Sequence, residues 1–287
     1  MTELCSVEIR FIQHKNWNAG QAITMLFVTV IMAVMSGALA TMPEIAKERA
    51  IFHRERSAGL GVLPYILSKL HLALMLALYQ SLVLLICMVL AVNIPQVNNI
   101  LIGMYCSLFL ASFGSMVLGL LVSTISPSQS VAPLLTIVVL VPQVVFGGGI
   151  LPVNEFHTVG QAINQVMLTK YPFETLVSMT ELGADVADDP CWQKTKQKNK
   201  TLSKVELAKC NCYEQEVFNK CEFPGIGKVK KTLSLNADLL KVRLLIQGIF
   251  DSYGDIFSVN VYESWLSMLK IIGGMTLILF LCQFIKG

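Results

Sequence analysis

The chain has 287 residues, of which 54% are hydrophobic and only 14% are charged, whereas about 25% of the residues in a soluble domain are charged. No Asp, Glu, Lys or Arg occurs from Leu70 to Asn154, and a soluble fold needs solvated groups on the outer faces of its helices. The net charge of +3 arises from blocks that mix both signs, which argues against a nucleic-acid partner. The composition predicts an all-α integral membrane protein with several bilayer spans.

The apolar runs predict five transmembrane helices. They cover about 21–42, 62–92, 99–125, 129–151 and 263–287. The linkers at 93–98 and 126–130 are short and contain proline, so the second, third and fourth spans should form tight antiparallel hairpins. Residues 1–153 thus form a membrane domain, and residues 154–262 form a long polar region before the last span.

Basic residues in the short loops predict the orientation of the spans. The loop at 43–61 carries four of them, and the loop at 93–98 carries none. We therefore expect 43–61 in the cytoplasm and the polar region 154–262 outside, in a prokaryotic plasma (inner) membrane. An odd number of spans leaves the N-terminus outside, so we expect a further membrane segment upstream of this sequence.

Residues 43–59 are too charged to span the bilayer and predict a helix along its cytoplasmic surface, which we call the connecting helix. Helical spacing separates Ile45, Phe52 and Leu60 from a dense set of mixed charges. Such a helix either only anchors the flanking spans or offers both signs of charge to a cytosolic partner. The composition leaves both interpretations open.

The third span carries small residues at every fourth position. They are Gly103, Ser107, Ala111, Ser115, Gly119 and Ser123. Small side chains at this spacing let helices approach closely, and a four-residue repeat drifts around the helix in a way that suits a right-handed crossing. We interpret the row as packing within the subunit, with a dimer seam as the alternative.

The polar region contains four cysteines, Cys191, Cys210, Cys212 and Cys221. In an oxidising compartment they predict two disulfides, and a zinc site is the alternative. The Cys-x-Cys spacing is shorter than the usual spacing of structural zinc ligands, which favours disulfides. Because one residue separates Cys210 from Cys212, each should pair with Cys191 or Cys221 rather than with the other.

No catalytic or metal-binding constellation is evident in the sequence. It contains no G-x-x-x-x-G-K-[ST] phosphate loop, and the triple glycine at 147–149 is not followed by Lys and Ser or Thr. The four histidines are scattered along the chain. We therefore expect that this chain is not an enzyme and binds no cofactor or metal itself.

Several motifs occur in an order that resembles one known family. The connecting helix reads ERAIFHRERSAG, and the positions that carry the resemblance are Glu48, Arg49, Phe52, Arg54, Glu55 and Gly59, followed by Tyr65 and Lys69. A glycine-rich exit from the fourth span follows at 146–152, and a YPFETL stretch at 171–176 looks like short external re-entrant helices. Over residues 16–287 the chain resembles the permease domain of G-type (type-2 exporter) ABC transporters.

The resemblance implies a permease that moves an amphipathic or lipid-like substrate outward. Glu48, Arg49, Phe52, Arg54, Glu55 and Arg56 would dock on an ATPase, which would bind ATP and Mg. Two permease copies would surround a cavity lined by the first and fourth spans, with Gln143 and Phe146 as candidate wall residues. Alternatively, Gln143 only hydrogen-bonds to a carbonyl freed by the kink at Pro142.

The sequence also departs from the family. Family members have six spans, and many carry an N-terminal nucleotide-binding domain, whereas this sequence contains neither that domain nor the first span. We therefore expect either a subunit served by a separate ATPase or a piece of a longer chain.

A second class of function is a non-transporting scaffold or receptor whose disulfide-bonded external domain binds a ligand. The connecting helix distinguishes the two classes, since only a transporter depends on its charges for ATP-coupled movement. A passive channel is disfavoured because no span carries an acid or a base that could form a ring around a pore.

Overall fold

The computed structural model describes residues 19–59, 61–91, 98–153, 156–180, 252–257 and 259–286, together with Gly248. Their α-helices are α1 Ala19–Thr41, α2 Glu44–Ser57, α3 Val62–Ala91, α4 Asn98–Ile125, α5 Ala132–Val145, α6 Thr158–Gln165, α7 Lys170–Met179 and α8 Val261–Lys286. A 3-10 helix at Gly254–Ile256 precedes α8. Since the described residues contain no strand, the predicted all-helical class is confirmed for them.

Four stretches of the described helices are long and apolar enough to cross a membrane. They are Ile23–Phe52, Val62–Leu90, Ile100–Ile125 and Val261–Ile285. These stretches correspond to the first, second, third and last predicted spans, although the first runs beyond α1 into the charged helix α2. Their length and composition support an integral membrane protein.

The fourth predicted span, at 129–151, contains a shorter helix than expected. α5 has 14 residues, and at about 1.5 Å per residue it falls short of a hydrocarbon core roughly 30 Å thick. The chain then leaves the helical path in the glycine-rich stretch, where Gly148 has a φ of 85°. The described part of the chain therefore contains four helices of spanning length rather than five.

α4 lies at the centre of the described helices, in contact with α1, α3, α7 and α8. Its small residues meet a succession of partners: Gly103 faces α7, and Ser107 accepts a hydrogen bond from Trp265 Nε1 of α8 at 2.9 Å. Farther along, Gly119 lies against α1 and Ser123 lies against the first turn of α2. The predicted packing within the subunit is confirmed, and the row drifts around α4 from one neighbour to the next.

We expect the substitution Gly119→Ala to destabilise the protein by about 2 kcal/mol, because overpacking of a filled interior costs this much. A Cβ atom at Gly119 would lie 2.5 Å from the backbone oxygen of Ala38 and would also collide with Thr41 Oγ1. Backbone of α1 cannot give way without separating from α4. Thermal unfolding in detergent measures the change.

Gly273 in α8 provides a matched control, because a Cβ atom there meets nothing within 4 Å among the described residues. Gly273→Ala should be neutral or stabilising by up to about 1 kcal/mol, since alanine favours a helix interior over glycine. Equal losses of stability in the two variants would contradict the close contact between α1 and α4.

Candidate functional site

The first turn of α2, the predicted connecting helix, is capped by a side chain from another helix. Its own N-cap residue, Pro43, makes no side-chain hydrogen bond. Instead, Ser123 Oγ of α4 accepts hydrogen bonds from the backbone N–H groups of Ile45 and Ala46, at 3.0 and 2.9 Å. Because N–H groups in a first turn lack an intrahelical acceptor, this cap fixes the start of α2 to the end of α4.

Two glutamates of α2 converge on one lysine of α3. Lys69 Nζ lies 2.7 Å from Glu48 Oε2 and 3.3 Å from Glu44 Oε2, and the lysine side chain is only 12% exposed. The hydroxyl of Tyr65, also on α3, donates to Glu48 Oε2 at 3.4 Å. Spacing of one helical turn between the two glutamates brings both carboxylates to the same ammonium group, and this ion-pair cluster joins α2 to α3.

Arg49 joins α2 to the end of α4 and the turn that follows. Its Nη2 donates to the carbonyl oxygens of Thr124 and Ser126 at 3.3 and 2.5 Å, and its Nη1 donates to that of Pro127 at 2.9 Å. Carbonyls at the end of a helix lack intrahelical donors, and a planar guanidinium can serve several acceptors at once. Arg49 therefore binds within the chain rather than projecting from it.

The apolar side of α2 packs on α3 and α4. Ile45 and Phe52 are each 2% exposed, and the ring of Phe52 lies 4.4 Å from that of Tyr65, centroid to centroid. The buried cluster around them consists of Ile45, Phe52, Tyr65, Ile66, Ala73, Ala77, Met116, Leu120 and Leu279. The predicted separation of Ile45 and Phe52 from the charges is confirmed, while Leu60 lies outside the described residues.

The opposite side of α2 is exposed and mixes charges with an apolar group. Its exposed residues are Lys47, Ala50, Ile51, Arg54, Glu55 and Ser57. Ile51 is 48% exposed. Arg56 is partly buried, and its Nη1 has no hydrogen-bond partner among the described residues.

The six predicted coupling residues therefore differ in burial and contacts. Glu48, Arg49 and Phe52 contact α3 and α4, whereas Arg54 and Glu55 are exposed and Arg56 is partly buried. Sequence reasoning did not separate them, although Arg49 is spaced four residues after Ile45 and three before Phe52. The contact of these residues with an ATPase remains a prediction.

Gln143 caps the approach to α7. Its side-chain Oε1 accepts hydrogen bonds from the backbone N–H groups of Leu168 and Thr169 at 2.8 and 3.4 Å, and its own carbonyl accepts one from Thr169 Oγ1 at 2.7 Å. Gln143 is 6% exposed. In these contacts the Gln143 side chain accepts hydrogen bonds from N–H groups and does not donate to a carbonyl freed near Pro142. Its contact with a substrate remains a prediction.

The glycine-rich exit from α5 brings α1 and α7 together. A Cβ atom built on Gly147 would lie 2.7 Å from Cε2 of Phe27 in α1. A Cβ atom built on Gly149 would overlap the same ring. Phe27 packs edge-on against Phe173 of α7 at 5.1 Å. Sequence reasoning missed Phe27, although a run of glycines is itself a sign of close backbone approach.

Phe146, the other candidate wall residue, lies at the end of α5 and is partly exposed. Its ring centroid is 5.4 Å from that of Phe156. Its backbone carbonyl accepts a hydrogen bond from Asn164 Nδ2 at 2.5 Å. The exposed part of the ring is compatible with a place in a cavity wall, which stays a prediction.

Glu174 in α7 is a buried acid that sequence reasoning did not single out. Its side chain is 13% exposed, and its nearest ionic partner, Lys170 Nζ, is 4.0 Å away. Burial raises the pKa of Glu174 from 4.5 to about 7, against a smaller opposite effect of Lys170. α7 is not among the four stretches of spanning length. The only sequence signal is an acid within a mostly uncharged stretch.

The four predicted disulfide cysteines, Cys191, Cys210, Cys212 and Cys221, lie outside the described residues. Both their pairing and the zinc alternative therefore stay predictions. Cys87, Cys106 and Cys282, in α3, α4 and α8, are free thiols.

Comparisons with known proteins cover most of the helices described above. Residues 7–180, which include α1 to α7, match the family model of the ABC-2 type transporter. Over 141 residues the chain is 30% identical to the ABC transporter ATP-binding/permease protein Rv1747 of Mycobacterium tuberculosis. That alignment covers 47% of this chain and 16% of the relative, so the chain corresponds to a minor part of that protein's length.

Proposed function

The chain belongs to the ABC-2 type transporter family, and from this premise we propose that it is the permease component of an ATP-driven exporter for an amphipathic or lipid-like substrate. An ATPase on another chain, or on another part of a longer protein, would bind ATP and Mg and hydrolyse the nucleotide. The permease would respond through α2. The name of the mycobacterial relative combines ATP binding with a permease, which supports this division of roles.

The observation that supports the proposal is the two-sided construction of α2. One side is held by the Ser123 cap, by Lys69 and by the carbonyls bound to Arg49. Arg54 and Glu55, adjacent in sequence, are exposed. A helix that only anchored the spans would also expose polar groups to water, and exposed charges of both signs give a cytosolic partner a surface to bind. Firm attachment on one side and exposed charges on the other suit a lever moved by a cytosolic partner.

From the same family membership we propose a membrane orientation and a dimer with a central cavity. We place α2 on the cytoplasmic side of a prokaryotic plasma membrane and residues 154–262 outside. Two copies of the permease, identical in the simplest case, would enclose a cavity lined by α1 and α5. Phe146 and Gln143 would lie at its outer end, with Phe146 offering the more accessible side chain.

The proposal is tested on the tagged protein purified gently from its native membranes. We expect a protein with a phosphate loop to copurify in stoichiometric amount, together with ATPase activity. The double substitution Arg54→Glu, Glu55→Arg preserves net charge and should reduce the bound ATPase at least tenfold without changing thermal unfolding. Glu48 is unsuited to this test, because its pairing with Lys69 ties its charge to the fold.

The control is Glu263→Gln, a change at an exposed acid in the first turn of α8. It should leave the copurified ATPase at the wild-type level. A wild-type preparation with neither a phosphate-loop partner nor ATPase activity would contradict the proposed function.

A further inference from the structure

We propose that Arg49 is a positioning residue that transmits movement of α2 to the start of α5, rather than a contact to the ATPase. The inference rests on the proposed function, and it specifies the path by which movement of α2 would pass through the permease. It concerns the three carbonyls that Arg49 binds and the turn to which they belong.

The carbonyls bound by Arg49 are at the point where the chain leaves α4. α4 ends at Ile125, and the acceptors lie immediately on either side of that residue. The end of a helix carries partial negative charge from its unpaired carbonyls, so a cation there is stabilised. A guanidinium can bond several of these oxygens in one plane. Arg49 therefore holds both the last turn of α4 and the turn after it.

The turn after α4 is tightly connected to α5. Ser126 Oγ donates to the carbonyl of Ser128 at 2.7 Å. The same carbonyl accepts the backbone N–H groups of Val131 and Ala132 at 3.2 and 3.3 Å, and Ala132 is the first residue of α5. A few residues with their own hydrogen bonds thus separate the Arg49 site from α5, and a displacement of the turn must displace the start of that helix.

α2 is attached to this corner at two places one turn apart. Ser123 holds the N–H groups of Ile45 and Ala46, and Arg49 holds the carbonyls beyond α4. With both attachments, α2 cannot rotate independently of the end of α4. Without Arg49, the Ser123 cap and the packing of Ile45 and Phe52 would still hold α2 on α4, but the hydrogen bonds from Arg49 to the turn beyond α4 would be lost. The guanidinium therefore links movement of α2 to this turn and to the start of α5.

The connection to α5 matters because of the residues at the other end of that helix. α5 leads to Gln143, which caps the approach to α7, and to the glycines pressed against Phe27 of α1. A shift that begins at α2 can thus reach the opposite end of α5, where α1, α5 and α7 meet. Exposed Arg54 and Glu55 have no such connection among the described residues, and we keep them as the contacts to the partner.

Hydrogen–deuterium exchange on the native-membrane complex tests this assignment. In the wild type, ATP with Mg and orthovanadate should change exchange at α2 and at residues 126–135. In Arg49→Gln the ATPase should still copurify and the change at α2 should persist, but the change at 126–135 should vanish. In the absence of nucleotide, the rate of amide exchange at 131–135 should be at least tenfold higher in Arg49→Gln than in the wild type. Arg49→Lys, which keeps a charged donor, should retain the transmitted change.

The matched control is Arg54→Gln, which should reduce copurified ATPase and leave basal exchange at 126–135 unchanged. Loss of the ATPase from Arg49→Gln, with basal exchange at 126–135 unchanged, would overturn the proposal, since Arg49 would then be a partner contact. Persistence of the nucleotide-dependent change at 126–135 in Arg49→Gln would overturn it as well. If the wild type had no ATPase partner, the proposed function would fail, whereas the basal exchange of Arg49→Gln and Arg49→Lys would still test whether Arg49 holds the turn.

Discussion

Replacing Lys69 by methionine should lower the free energy of unfolding by about 3 kcal/mol, because removal of one partner from a buried ion pair typically costs about 3–5 kcal/mol. The lysine side chain is 12% exposed and lies between Glu44 and Glu48, whose side chains are 19% and 31% exposed. Without the ammonium, Glu48 loses its lysine partner, and Glu44, one turn away, retains only Lys47. The partial exposure of the two glutamates places the expected loss at the lower end of the range. Thermal or denaturant unfolding in detergent measures it.

Lys47→Met is the matched control. Lys47 Nζ lies 2.6 Å from Glu44 Oε1, closer than Lys69 lies to the same residue, but the side chain of Lys47 is 42% exposed. Solvent-exposed ion pairs contribute little, so this variant should lose no more than about 0.5 kcal/mol. Burial, rather than distance, decides between the two lysines.

The triple variant Lys69→Met, Glu44→Gln, Glu48→Gln should recover most of the stability lost in Lys69→Met, because it removes the uncompensated charges along with their partner. Equal small losses for Lys69→Met and Lys47→Met would mean that solvent already screens the cluster. That result would contradict the assignment of Lys69 as the bond between α2 and α3.

The membrane helices were predictable because a lipid-facing helix must be apolar along its whole length. The same reasoning failed for the extent of α5. The stretch from Phe146 to Leu151 carries no charged or polar side chain, so hydrophobicity gave no end at Val145, although its three glycines disfavour a helix. The bend depends on Gly148 at positive φ and on the contact of Gly147 and Gly149 with Phe27, more than a hundred residues earlier in the chain.

The connecting helix shows the same limit within the site. Helical spacing predicted that Ile45 and Phe52 share the apolar side, and both are buried. Spacing also places Arg49, four residues after Ile45 and three before Phe52, on that side. It places Arg54 on the other side. What Arg49 contacts there depends on α4, whose terminal carbonyls come within reach of the guanidinium only after the helices pack. Local patterns determine which residues share a side, and tertiary packing determines what that side meets.

Glu174→Gln should stabilise the protein above neutral pH and leave it unchanged in acid. Glu174 titrates at about 7 in the folded protein and at 4.5 in the reference state. A raised pKa means that the folded state binds the proton more tightly, so the stability contributed by this group is full below pH 4.5 and is lost as the pH rises through 7. The loss amounts to about 3 kcal/mol at pH 8, and a neutral glutamine avoids it.

Thermal unfolding in detergent at pH 5 and pH 8 measures the effect. Wild-type protein should lose stability between the two values, and Glu174→Gln should lose about 3 kcal/mol less. Glu263→Gln removes an exposed carboxylate whose partner is Asn260, and its pH profile should follow the wild type. Parallel profiles for all three proteins would show that the Glu174 carboxylate is hydrated in the folded state. α7 packs on α1, α4 and α8. Ionisation of Glu174 therefore destabilises the folded protein at the place where these helices meet.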